Sequence, residues 1–237
     1  LSDNINKTQT SKKSNTILTF LTKESKLYTE ILNPRTNLWP AWWRGLKKQD
    51  FPTMKTCPGF VDLLKTTITV PLWKDYHITY SDRIENVSVP GVSDKQQMEE
   101  WIDVHPSEQY GNHYKDYVHI KLKTPWITVC NDNTKFLMTD ATWHRNEFES
   151  YRVLPGELEF RYQHSSHVNL FLPRAKQSTK LELEAGNPIC YLTPLTDRPV
   201  EVQVKRVSTE EWFSHLQMPF TFQNQYRKIL KLINERN

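Results

Sequence analysis

The sequence predicts a mainly β protein: an antiparallel β-sandwich or jelly roll with small inserted helices and a helical C-terminus. Three observations carry this. The first is the stretch from Arg152 to Val207, where apolar and polar residues alternate in run after run. Leu158, Phe160 and Tyr162 alternate with Glu157, Glu159 and Arg161, and Val168, Leu170 and Leu172 alternate with His167, Asn169 and Phe171. Leu181 and Leu183 alternate with Lys180, Glu182 and Glu184, and Val200, Val202 and Val204 with Glu201, Gln203 and Lys205. A period of two buries one face of each strand and wets the other. That is the habit of antiparallel sheets closed over their own core. The second observation is the turn chemistry between runs: Pro90-Gly91, Asn131-Asp132-Asn133-Thr134 and Gly186-Asn187-Pro188. The third is composition. Hydrophobic residues make up 37% but aromatics 12%, with eight Trp, so large rings build the core.

The elements follow in order. Leu1 to Asn15 is rich in Asn, Ser, Thr and Lys and buries too little apolar surface to order itself. Such an arm gains hydrogen bonds by adding to an exposed sheet edge of a neighbour. Ile17 to Phe20 reads as a short strand. Pro58 suits the first turn of a short helix capped by Thr56 or Cys57, with Phe60, Val61 and Leu64 on one face. Thr66 to Val70 and Tyr76 to Tyr80 read as a strand pair joined by a turn. Asp82 to Gly91 reads as loop, and Ser93 to Ile102 as helix with Met98, Trp101 and Ile102 inward. Tyr117 to Leu122 is a strand with Val118, Ile120 and Leu122 inward. Pro125 to Cys130 and Lys135 to Thr139 form a hairpin around Asn131 to Thr134. Ser208-x-x-Glu211 has the capping-box spacing and starts a helix with Trp212, Phe213 and Leu216. Pro219 ends it, and Thr221 to Arg236 forms another. The chain thus divides into a polar arm (1–16), a β-sandwich or jelly-roll domain with inserted helices (17–207) and C-terminal helices (208–237).

Several function classes are disfavoured. The net charge of +4, from 31 basic and 27 acidic residues, is too even to imply nucleic acid. Cys57, Cys130 and Cys190 are odd in number with no CxxC spacing, which argues for free thiols over disulfides or structural zinc and fits a reducing place of synthesis. No run of 18 apolar residues exists to span a membrane, and the start lacks the apolar core of a signal peptide. The six glycines are scattered singly, so no loop cradles phosphate. There is no Gly-x-Ser-x-Gly elbow for a nucleophile.

Trp39-Pro40-Ala41-Trp42-Trp43-Arg44 places three indoles within five residues. Trp39, Trp42, Trp43 and Arg44 are the candidate binding residues, as an aromatic platform for a base, a sugar or a partner chain. The competing reading is a plug that closes one end of the ring-rich core, with Arg44 stacked on an indole. An iron-dependent oxygenase on a jelly roll needs two His and one carboxylate on neighbouring strands. The sequence has no His-x-Asp or His-x-Glu. It offers His164-x-x-His167 near Glu159 and Arg161, and His105-x-x-Glu108 with His113-x-x-Asp116. The candidate catalytic residues are therefore Glu159, Arg161 and His167, and the candidate metal ligands are His105, His113, His164 and His167. Strand alternation puts Glu159, Arg161 and His167 on the wet faces. The expectation is no metal and no cofactor.

Five phrases in order resemble a family of tailed-bacteriophage proteins frequent in marine and cyanobacterial phages. They are Trp39-Pro40-Ala41-Trp42-Trp43; Met54-Lys55-Thr56-Cys57-Pro58-Gly59-Phe60-Val61-Asp62; Lys123-Thr124-Pro125-Trp126; Leu154-Pro155-Gly156; and Leu183-Glu184-Ala185-Gly186-Asn187-Pro188-Ile189-Cys190. The resemblance implies a phage origin and a shared β-rich fold, and brings no catalytic residues. The layout from Pro155-Gly156 to Leu192 is similar to dUTPase-type jelly rolls. Glu159 stands where that family has an Asp, and its Tyr-Arg-Gly phrase is absent. The likeness therefore implies topology more than nucleotide hydrolysis.

The leading expectation is a phage-encoded, non-catalytic assembly protein of the virion. Its partners would be itself or other phage structural proteins, with no membrane and no nucleic acid, in the virion or the host cytoplasm during infection. The alternatives are a jelly-roll enzyme, either Fe(II)-dependent oxygenase-like or nucleotide-processing, and a host-directed binding protein.

Overall fold

The computed structural model describes residues 15–47, 52–111, 113–146, 150–160 and 165–216. The expected arm before Asn15, the helix over Thr221 to Arg236, and the candidate residues Arg161 and His164 lie outside the described residues. The fold is mainly β and antiparallel, as the alternation predicts. In chain order the strands are β1 (Thr16–Thr22), β2 (Ile68–Pro71), β3 (Tyr76–Tyr80), β4 (Ile84–Ser88), β5 (Ile102–His105), β6 (Tyr117–Leu122), β7 (Ile127–Cys130) and β8 (Lys135–Asp140). They continue with β9 (Arg152–Val153), β10 (Gly156–Glu159), β11 (Val168–Pro173), β12 (Thr179–Leu183), β13 (Pro188–Pro194) and β14 (Val200–Arg206). Short helices intervene: α1 (Leu27–Glu30), α2 (Ala41–Gly45), α3 (Pro58–Thr66), α4 (Lys95–Glu99) and α5 (Thr209–Leu216).

The strands form four sheets, in the orders β14-β1-β7, β10-β8-β13-β2, β5-β6-β11-β9 and β12-β3-β4. One hydrophobic cluster draws side chains from all of them, among them Phe20, Val70, Ile78, Ile120, Leu170, Leu181 and Leu192. At its centre the indole of Trp126 is 1% exposed. It meets Phe20, Tyr28 and Trp73 edge-on at ring distances of 6.2, 6.2 and 5.8 Å, the geometry aromatic quadrupoles favour.

The alternating runs fold as their pattern requires. Val168, Leu170 and Leu172 are fully buried, Leu158, Leu181 and Leu183 are buried, and Val200, Val202 and Val204 pack half-buried against the core. Phe171 is a correction. It stands on the expected wet face of β11 yet is 5% exposed, because the rings of Tyr110, Tyr114 and Tyr117 cover it at 5.0–5.5 Å.

Pairing differs from the local expectations in four places. First, β2 and β3 do not form a hairpin; β2 pairs with β13, and β3 with β12 and β4. Between them Leu72 donates its N–H to the Asn187 carbonyl at 2.8 Å and accepts the Gly186 N–H at 2.7 Å. That link carries the chain from one sheet to another. Second, β7 and β8 are not partners; β7 pairs with β1, and β8 with β10 and β13. The turn side chains serve β1 instead: Asn131 accepts the Ile17 N–H at 2.7 Å, and Asp132 accepts the Thr16 hydroxyl at 2.9 Å. Third, β4 forms where a loop was expected, and the expected helix over Ser93 to Ile102 contracts to α4, capped by Asp94. Ile102 leaves the helix to pair with Leu122 in β5–β6. Fourth, β1 runs parallel to β14.

Other local signals hold. Cys57 takes the N-cap position of α3, without a side-chain cap bond, with Pro58 in its first turn, and Phe60 and Leu64 are buried. Ser208 accepts the Glu211 N–H at 3.1 Å at the start of α5. The three cysteines are free. Among the described residues no helix is long and apolar enough to cross a membrane.

Candidate functional site

Trp39, Trp42 and Trp43 have the i, i+3, i+4 spacing that gathers side chains on one side of a helical turn. Asn37, at φ 56°, turns the chain into this segment, a conformation Asn tolerates better than most residues. Two distant segments complete the group: Phe60 from α3, and Trp143 from a short 3-10 turn at Thr142–His144. Trp39 stacks on Trp43 at 4.8 Å, Trp43 and Trp42 lie tilted on Phe60 at 5.1 and 5.5 Å, and Phe60 meets Trp143 edge-on at 4.7 Å. The Trp42 indole N–H donates to the Trp143 carbonyl at 2.8 Å and ties α2 to the 3-10 turn. Trp42 and Trp143 both remain 38% exposed.

This group is a satellite of the core and does not plug its end. Trp39 and Trp43 pack on a cluster of Phe60, Leu64, Ala141 and Tyr191. Tyr191 alternates along β13 with Cys190 and Leu192, which belong to the main core. It therefore points from the other face of that sheet. The cation over the indole also differs from expectation. Lys55, not Arg44, sits 6.0 Å from the Trp43 ring centroid, and it donates to the Leu46 carbonyl at 2.8 Å. Arg44 is exposed. Arg44 and Lys55 line a groove with Asn37, Leu38, Trp39 and Trp43.

The turn that presents Trp143 is held from below. His144 and the Tyr191 hydroxyl are hydrogen-bonded at 2.6 Å. Burial holds the His144 imidazole below its ordinary value. One residue on, Arg145 pairs with Asp140 at 2.7 Å and lies 3.7 Å from the centroid of the Tyr151 ring. The same Asp140 oxygen accepts the Val153 N–H at 3.0 Å.

The other candidates are dispersed. Glu159 is half-buried on β10, opposite Lys135 of β8. His167 precedes β11, in a different sheet. It is half-buried, where its alternation implied a solvent-facing side chain. Its Nδ1 accepts the Thr124 N–H at 3.3 Å, and burial pushes the imidazole down to about 4. His113 is exposed beside Tyr114. His105 stacks on His119, which the sequence reading missed because a lone inward His on a strand carries no motif. Those two imidazoles, Tyr110, Tyr114, Phe171 and Arg174 line a second, smaller groove. Among the described residues no group of three or more His, Cys, Asp or Glu is placed to hold a metal ion.

Comparison with known protein families, with curated protein sequences and with solved structures finds no match.

Proposed function

We propose that this chain is a non-catalytic assembly protein, phage-encoded and virion-associated, that binds a protein partner through the aromatic face around Trp42 and Trp143. The observation that carries this reading is the gathering of four indoles and Phe60, from three separate segments, into one cluster whose outer members stay 38% exposed. Aromatic side chains fixed by packing are the usual anchors of protein interfaces, because they bring large area with little rotamer freedom left to lose. The order of the five phrases that resemble tailed-phage proteins supports the phage origin. The test is mass spectrometry of purified phage particles. The protein is expected among the particle proteins at fixed stoichiometry. Its presence in infected-cell lysate and absence from particles would overturn the virion role.

A further inference from the structure

The groove beside the aromatic face has one sign of charge. Asn37, Leu38, Trp39, Trp43, Arg44 and Lys55 line it, so both of its charged members are cations. Neither has a carboxylate partner among the described residues. Lys55 reaches a backbone carbonyl and an indole, and the guanidinium of exposed Arg44 is in no ion pair with a described residue. Cations set at the rim of an apolar surface select an anionic partner by complementarity.

The rings argue against a nucleobase as that partner. Base stacking needs an open aromatic face. The Trp43 indole is instead stacked by Trp39 at 4.8 Å and flanked by Phe60 at 5.1 Å and Trp42 at 6.1 Å. The Trp43 ring is thus engaged inside the cluster. What remains suits an aliphatic side chain lying against ring edges.

We infer that this groove binds an acidic peptide segment of a partner protein, its carboxylates on Arg44 and Lys55 and an apolar side chain against Trp39 and Trp43. The inference rests on the reading of the aromatic face as a binding surface. Arg44 supplies a planar fork for a carboxylate. Lys55, held by the Leu46 carbonyl, retains further donors.

The test is fluorescence anisotropy of the whole protein with a short labelled peptide of glutamates flanking a leucine. Binding is expected to weaken as salt rises, and to fall at least tenfold when the glutamates become glutamines or in Arg44→Glu. Lys205→Glu, an exposed change of equal charge on β14, is expected to leave it unchanged. No binding, equal binding of the glutamine peptide, or equal loss in Lys205→Glu would overturn the inference. Tighter binding of oligothymidylate would also overturn it, in favour of single-stranded nucleic acid. A protein found in phage particles yet blind to the acidic peptide would sink this inference alone and leave the assembly role standing.

Discussion

His105 and His119 face each other across the antiparallel β5–β6 pair, their rings stacked with centroids 4.5 Å apart. His119 is 7% exposed. Its Nε2–H donates to Asn169 Oδ1 at 3.0 Å and its Nδ1 accepts the Tyr110 hydroxyl, so the neutral ring satisfies both nitrogens. Burial is the main cause that pushes His119 down to about 4, against the Asn169 hydrogen bond, with His105 and Lys121 adding to the shift. Burial, then Lys121, also lowers His105.

Acid destabilisation follows, and its sign is fixed. The unfolded His119 takes up its proton near pH 6.5, the folded one only near pH 4. Between those values the unfolded chain binds more protons, so stability is complete above about pH 6.5 and falls as pH drops toward 4. His119 alone accounts for up to roughly 3 kcal/mol, and His167 adds in the same direction. Urea midpoints at neutral pH and near pH 4.5 measure this. His119→Gln is expected to flatten the pH slope, and an unchanged slope would refute the assignment.

Asp132 ties three parts of the chain. One oxygen accepts the Thr134 N–H at 2.8 Å, and the other meets the Thr16 hydroxyl at 2.9 Å and Arg198 at 2.9 Å. Burial alone would raise its carboxyl, but the hydrogen bonds from Thr134, Thr16 and Cys130 outweigh burial and hold it at about 2. Asp132→Ala is expected to lower stability by about 2 kcal/mol and Asp132→Asn by less. Equal losses would show that the carboxylate charge facing Arg198 carries the whole effect.

Gly186 has φ 91°, while Gly156 has no such strain and no atom within 4 Å of an added Cβ. Gly186→Ala is expected to cost about 1–2 kcal/mol, with Leu32 at 3.5 Å of the new Cβ adding only ordinary contact. Gly156→Ala is expected to be near neutral. Thermal melts of both variants separate backbone strain from crowding.

Thiol reactivity is ordered by burial. Cys190 is fully buried and its thiol is pushed up; burial also raises Cys130, to about 11. Cys57, like Cys130, is half-buried. Iodoacetamide is expected to label Cys57 first and Cys190 only after unfolding, because the thiolate is the reactive form. Peptide mass spectrometry of a labelling time course gives the order.

The two tryptophan clusters predict opposite outcomes. Trp126→Ala is expected to cost about 3–5 kcal/mol, since it empties the centre of the core. Trp42→Ala is expected to spare most of the stability, since Trp42 stays 38% exposed. Equal destabilisation by both would mark the aromatic face as structural.

By itself the sequence determined the class of fold and the inward residues of the alternating runs. Period-two patterning is a local consequence of strand geometry, so Leu170, Leu172, Leu181 and Ile120 could be placed in the core from their neighbours alone. Caps were equally local: Cys57-Pro58 and Ser208-x-x-Glu211 are read within four residues. Part of the candidate surface was legible too, as Trp39, Trp42 and Trp43 lie within five residues of one another. Tertiary structure alone decided which strands pair, because Leu72 and Asp132 spend their hydrogen bonds on segments more than a hundred residues away, Asn187 and Thr16. A turn motif reports that the chain bends, not which strand receives it. Only the fold could bring Phe60 and Trp143 to the indoles, replace Arg44 by Lys55 over Trp43, bury Phe171 and half-bury His167. Those placements depend on what packs against a face, and that is a property of distant chain.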